Sequence, residues 1–172
     1  MNTPTKMMVM MVMMMMMMMI APASSIRVDD KRGFALCNIP QTAQLERVEV
    51  SDCKRWPCLA KAGRRGTYEI TFTPDTNEPI RGLKSDIHAW VKLPYGDGEP
   101  IRFPMPRQIK QEVCPFLDTP CPVPPGHPAT ITKSVTIPVQ ARMAQGNVVV
   151  EFRVTDDLNR VVTCFHAPVI VA

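Results

Sequence analysis

The chain has 172 residues, 45% of them hydrophobic and 21% charged, with a formal net charge of +4. That balance excludes a disordered polyelectrolyte. The basic residues fall in short groups such as Lys54-Arg55 and Arg64-Arg65, without the basic stripe and interleaved aromatics of a nucleic-acid binder.

Twelve of the 14 methionines are Met1 and those of the run MMVMMVMMMMMMMI at 7–20. A thioether site for Cu(I) needs ligands held apart, and these are contiguous. A membrane-spanning helix needs about 20 apolar residues, and the run has 14. With MNTPTK before it and Ala21-Pro22-Ala23 after it, the segment reads as a secretory signal peptide over residues 1–23. Cleavage is expected after Ala23, with Ser25 as the alternative, and residues 24–172 then form one domain.

All six cysteines (Cys37, Cys53, Cys58, Cys114, Cys121, Cys164) lie beyond the leader, and an even count in a secreted chain points to three disulfides. Spacing alone leaves about fifteen pairings. Short loops close at least entropic cost, which favours Cys53–Cys58 and Cys114–Cys121 and leaves Cys37 and Cys164 to join the ends of the domain. Of the close pairs only Cys53 and Cys58 approach the ligand spacing of a structural zinc site, and the compartment is oxidising, so no metal is expected.

In chain order, ERVEV (46–50) alternates briefly, and TYEITFT (67–73) places Tyr68, Ile70 and Phe72 on one face against Thr67, Glu69, Thr71 and Thr73. DIHAWVKL (86–93) and EPIRF (99–103) flank a hairpin turn at Asp97-Gly98. ATITKSVTIPV (129–139) alternates again, and NVVVEFRVT (147–155) and RVVTCFHAPVIV (160–171) flank the polar turn DDLN. About seven strands with regular turns and 18 prolines predict an all-β fold, a sandwich of two antiparallel sheets. IRFPMP (101–106) lacks ladder donors and is expected at an edge or rim, while CPFLDTPCPVPPGHP (114–128) is a proline-stiffened loop.

The cysteine order, IRFPMP before Cys114, IPVQARMAQGNVVVEF and the terminal DDLNRVVTCFHAPV together resemble the ML-domain family of secreted lipid-recognition proteins. Within it they are most similar to the branch of soluble Niemann-Pick type C sterol carriers and to arthropod members such as the mite group-two allergens. The likeness runs from about Cys37 to the C-terminus. It implies an immunoglobulin-like sandwich whose sheets enclose an apolar cavity, and the pairing Cys37–Cys164, Cys53–Cys58 and Cys114–Cys121. Phe103 matches the phenylalanine of the family's FPxP motif at the cavity entrance, and Val139 the valine of its LPV segment. Met143 stands where the sterol carriers have a tyrosine, and Phe152 and Phe165 where they have tryptophans, so the apolar character is kept and the fit to cholesterol itself is weakened. LPYGDGEP (93–100) reads as an insertion beside the entrance.

Tyr68, Ile70, Phe72, Ile101, Val148 and Val150 complete the expected lipid-binding set. Periodicity alone assigns such residues to a filled core, and only the resemblance makes them cavity lining. An empty apolar cavity of ~300 Å3 would cost about 7 kcal/mol, which a bound lipid offsets. The expected partner is therefore a hydrophobic small molecule (a sterol, fatty acid or related lipid), with a membrane or membrane receptor for hand-over, no other cofactor, and a monomeric protein. Beyond the leader there is no N-x-S/T sequon to carry a lysosomal address, which favours extracellular fluid over a lysosomal or endosomal lumen. The competing classes are a solid-core module that recognises a receptor or microbial lipid, and a lipid esterase. The five serines include no G-x-S-x-G elbow, and three disulfides leave no free thiol, so an enzyme is not expected.

Overall fold

A computed structural model of the protein describes residues 26–27, 35–92, 99–144 and 146–172. The expected leader at 1–23 and the expected turn at Asp97-Gly98 lie outside the described residues.

Eleven strands are present among the described residues: β1 (Ile26–Arg27), β2 (Ala35–Leu36), β3 (Ala43–Val50), β4 (Cys58–Ala60), β5 (Arg65–Pro74), β6 (Leu83–Val91), β7 (Ile101–Pro104), β8 (Gln111–Glu112), β9 (Ala129–Thr136), β10 (Gly146–Asp156) and β11 (Val161–Val171). One sheet has the order β1-β3-β5-β9. The other has the order β2-β11-β10-β6-β7, with β4 beside β11 and β8 beside β6. Every pairing is antiparallel except that of β4 with β11. The all-β sandwich predicted from alternation is the fold observed, with the seven expected strands joined by short edge pieces that carry too few residues to show a period.

Alternation sets the faces. On β5, Ile70 and Phe72 are buried and Glu69 is exposed, and directly opposite on β9 Ile131 and Ala129 are buried. Buried on one side, solvated on the other, such strands fix their register, because a one-residue slip would exchange the two faces. Between β10 and β11 the turn is held by Asp156, whose Oδ1 accepts the backbone N–H groups of Leu158 (2.9 Å) and Arg160 (2.8 Å) and whose Oδ2 accepts Arg160 Nε (2.7 Å). Pro168 interrupts β11 without harm, because on the edge shared by β2 and β4 it falls between the stretch paired with β2 and the stretch paired with β4.

One strand is shorter than its sequence pattern. β9 stops at Thr136 rather than running to Val139, since Pro138 has no N–H to extend the ladder. Val139–Ala144 instead forms a 3-10 turn. The three disulfides are Cys37–Cys164, Cys53–Cys58 and Cys114–Cys121.

The sandwich is solid at one end and hollow at the other. Phe72, Ile80, Leu83, Val113, Val123, Val154 and Val162 are fully buried and meet between the sheets. Moving along β5, β6 and β10 away from Phe72, Leu83 and Val154, the inward side chains stop meeting and line a cavity.

Candidate functional site

The cavity has a volume of about 1210 Å3. Its wall on the larger sheet is Ile87, Ala89 and Val91 of β6, Val148, Val150 and Phe152 of β10, and Phe165, Ala167, Val169 and Val171 of β11. These are alternate residues on neighbouring strands, so one face of the sheet supplies the whole wall. Val48 and Val50 of β3, Tyr68 and Ile70 of β5 and Val135 of β9 form the facing wall. The floor is aromatic: Phe152 stacks on Phe165 (ring centroids 5.5 Å apart) and meets Tyr68 edge to face at 4.9 Å. Burial pushes the Tyr68 phenol pKa up, so the ring stays neutral, and its Oη has no hydrogen-bond partner among the described residues.

At the mouth, Phe103 projects from the edge strand β7 and is 44% exposed. The proline pattern of IRFPMP explains its place: Met105 N–H still donates to Ile87 O (2.9 Å), but the intervening prolines offer the next strand nothing, so β7 ends the sheet. Across the mouth lie Gln140, Ala141, Met143 and Ala144 of the 3-10 turn. The third side is the segment from Asp52 to Arg65, held by the Cys53–Cys58 disulfide and by β4.

Of the residues expected from sequence to bind lipid, Tyr68, Ile70, Phe103, Met143, Val148, Val150, Phe152 and Phe165 line this cavity. Three do not, and each has a local reason. Phe72 lies one inward position too far along β5 and is sealed in the solid end. Ile101 lies on the exposed strand β7, two residues outside Phe103, and is 45% exposed. Val139 is 58% exposed because the 3-10 turn breaks the strand alternation that would have turned it inward. It instead packs over Gly63, where an added Cβ would come within 3.2 Å of Val139 Cγ1.

The lining also includes residues that the sequence did not single out. Trp56 is one, inside the Cys53–Cys58 loop; its signal was a large aromatic in a four-residue clip, where no strand period exists to place it. Ile87, Ala89 and Val91 are others, hidden because β6 also carries polar residues outward. Among the described residues there is no cluster of three or more potential metal ligands, and no helix is long and apolar enough to cross a membrane.

A two-sheet sandwich with one hollow, apolar end is a fold built to enclose a hydrophobic ligand. Residues 33–171 match the family model of the ML domain, and the chain belongs to that family. It is 28% identical over 128 residues to bovine (Bos taurus) NPC intracellular cholesterol transporter 2, covering 73% of this chain and 75% of that protein. In structure it is similar to a Niemann-Pick type C2 protein from Japanese carpenter ant, with a TM-score of 0.63 at 13% identity over 81% of this chain and 98% of that one. The chain thus has the lipid-binding fold of the ML domain.

Proposed function

We propose that the protein is a secreted, non-catalytic lipid carrier that holds a sterol, a fatty acid or a related hydrophobe between its sheets and releases it to a membrane or membrane receptor. The cavity carries this reading: at about 1210 Å3 it exceeds the roughly 300–1,000 Å3 of ordinary small-molecule sites. Its walls are aliphatic and aromatic, so its natural filling is an apolar body. The name of the bovine relative speaks for a sterol, while Met143 in place of a rigid tyrosine gives the mouth an adaptable thioether suited to chains of varied shape. Secretion rests on the leader pattern and on three disulfides, which persist in oxidising compartments.

The cavity counts against a solid-core interaction module. Among the described residues no serine or threonine hydroxyl of the lining is hydrogen-bonded to a basic side chain, which counts against an esterase. A ligand of about 27 heavy atoms at ~0.3 kcal/mol per atom corresponds to roughly micromolar affinity, weak enough for release. Titration of the purified protein with a fluorescent sterol and a fluorescent fatty acid tests the reading. Saturable one-to-one binding of either is expected. Absence of saturation with both, at tens of micromolar protein, would refute it.

A further inference from the structure

The charged groups lining the cavity are distributed unevenly. Among the described residues Lys54, Lys61, Arg64 and Arg65 all line it, and Asp52 is the sole carboxylate that does. All five come from one segment on one side of the mouth and are exposed. The other lining residues of the mouth, Phe103, Pro104, Pro106, Ala141 and Met143, are uncharged. None of the four cations has an ion-pair partner among the described residues. Their backbone is fixed by the fold. Arg64 O accepts Ile137 N–H (2.9 Å), Gly63 N–H donates to Ile137 O (2.8 Å), Ala62 N–H donates to Ala172 O (3.0 Å), and the Cys53–Cys58 disulfide brackets Lys54.

We propose that this cationic lip selects lipids with an anionic head group, a carboxylate, phosphate or sulfate, held at the mouth while the apolar body fills the cavity. The inference rests on the carrier reading and names the ligand class for that same site. Orientation follows from solvation. The deeper walls are mainly aliphatic and aromatic, the Tyr68 Oη is already sealed, and burying an unpaired charge there is prohibitive. At the mouth the head keeps part of its water and gains several cations at once. Each exposed ion pair is weak alone, so the selection comes from their number and their fixed backbone, and it is sensitive to salt.

The test compares ligands that differ only in the head: oleate with methyl oleate, and cholesterol sulfate with cholesterol, each below its aggregation threshold and without membranes. At about 0.15 M salt the anionic member of each pair is expected to bind about tenfold tighter, a difference of about 1.4 kcal/mol. The preference is expected to shrink at about 1 M salt, where the screening length is only about 3 Å. In the double variant Lys61→Gln, Arg64→Gln, oleate should fall towards the affinity of methyl oleate. Equal binding within both pairs would overturn the head-group selection while leaving the carrier reading intact. A preference that survives the double substitution would overturn the role of the lip. Displacement of oleate by millimolar inorganic phosphate would show a site for free anions and contradict the lipid assignment. Failure of all four ligands to bind would refute the carrier itself.

Discussion

Arg102 and Glu151 form an ion pair at 2.6 Å across the outer face of the larger sheet, although one strand, β6, lies between them: Arg102 is on the edge strand β7 and Glu151 on the central strand β10. Trp90 of the intervening β6 completes it, with its Nε1–H donating to Glu151 Oε2 (3.0 Å) and its ring 5.9 Å beneath the Arg102 guanidinium. Arg153 (3.2 Å) and His166 Nε2 (3.4 Å) approach the same carboxylate. Glu151 is only 3% exposed, so these contacts are what make a buried charge tolerable on this face. The belt fastens β7, whose ladder the prolines cut short, and with it Phe103 at the mouth, to the body of the sheet.

For Glu151, burial works against ionisation, but the hydrogen bonds from Arg102 and Trp90 and the charges of Arg102 and Arg153 outweigh it and hold the carboxyl at about 2 instead of 4.5. A folded-state pKa below the unfolded one means that the stabilisation is fully present above about 4.5 and is lost as pH falls towards 2. Glu151→Gln is therefore expected to cost about 1–3 kcal/mol near neutrality and to flatten the acid limb of stability. Urea unfolding from pH 7 down to pH 3 measures both. An acid limb as steep as that of the parent would place the titration elsewhere.

Lys133 presents the reverse case. It is 7% exposed on the inward face of β9, its Nζ has no hydrogen-bond partner among the described residues, and it lies 5.4 Å from the Phe116 ring. Burial pulls its pKa down, so the folded state resists its proton and stability rises with pH between the folded and unfolded pKa values. Lys133→Met should raise stability by about 1 kcal/mol near neutral pH, read as a higher urea midpoint. A lower midpoint would mean that the ammonium is satisfied in solution.

Phe103→Ala removes a half-exposed ring from the mouth. Losing about 1 kcal/mol of apolar contact corresponds to roughly fivefold weaker lipid binding, with little change in stability. Val139→Thr, one residue beyond Pro138 and outside the cavity, should shift affinity by less than about twofold. Ligand titration of the two variants side by side checks the corrected lining, and the opposite order of effects would restore Val139 to the site.

Cys37→Ser opens the bridge to Cys164, 127 residues away. In the chain-entropy model such a cross-link is worth about 5 kcal/mol. The expected result is a large drop in melting temperature under non-reducing conditions and poor secretion. A variant as stable as the parent would show that the bridge constrains little.

The fold was legible in the sequence because β5 and β9 each bury one face, which period 2 reports directly, and because β10 and β11 flank a polar turn. The hollow was not. Tyr68 and Ile70, which face the cavity, and Phe72, which is sealed in the core, obey the same alternation, so no local pattern separates lining from filling. Only the family resemblance raised such positions from core to cavity lining. Val139 misled for a physical reason: a proline converts the end of a strand into a 3-10 turn, and the period changes with it. The Arg102–Glu151 belt and the cationic lip depend on residues brought together across strands and loops, and no spacing in the chain announces them.

Native mass spectrometry of the full chain expressed by a secreting eukaryotic host, with analysis of its organic extract, tests the central claim most directly. The account predicts a protein carrying one lipid per chain, with three disulfides intact. Protein that emerges lipid-free, and then takes up neither a sterol nor a fatty acid, would contradict it.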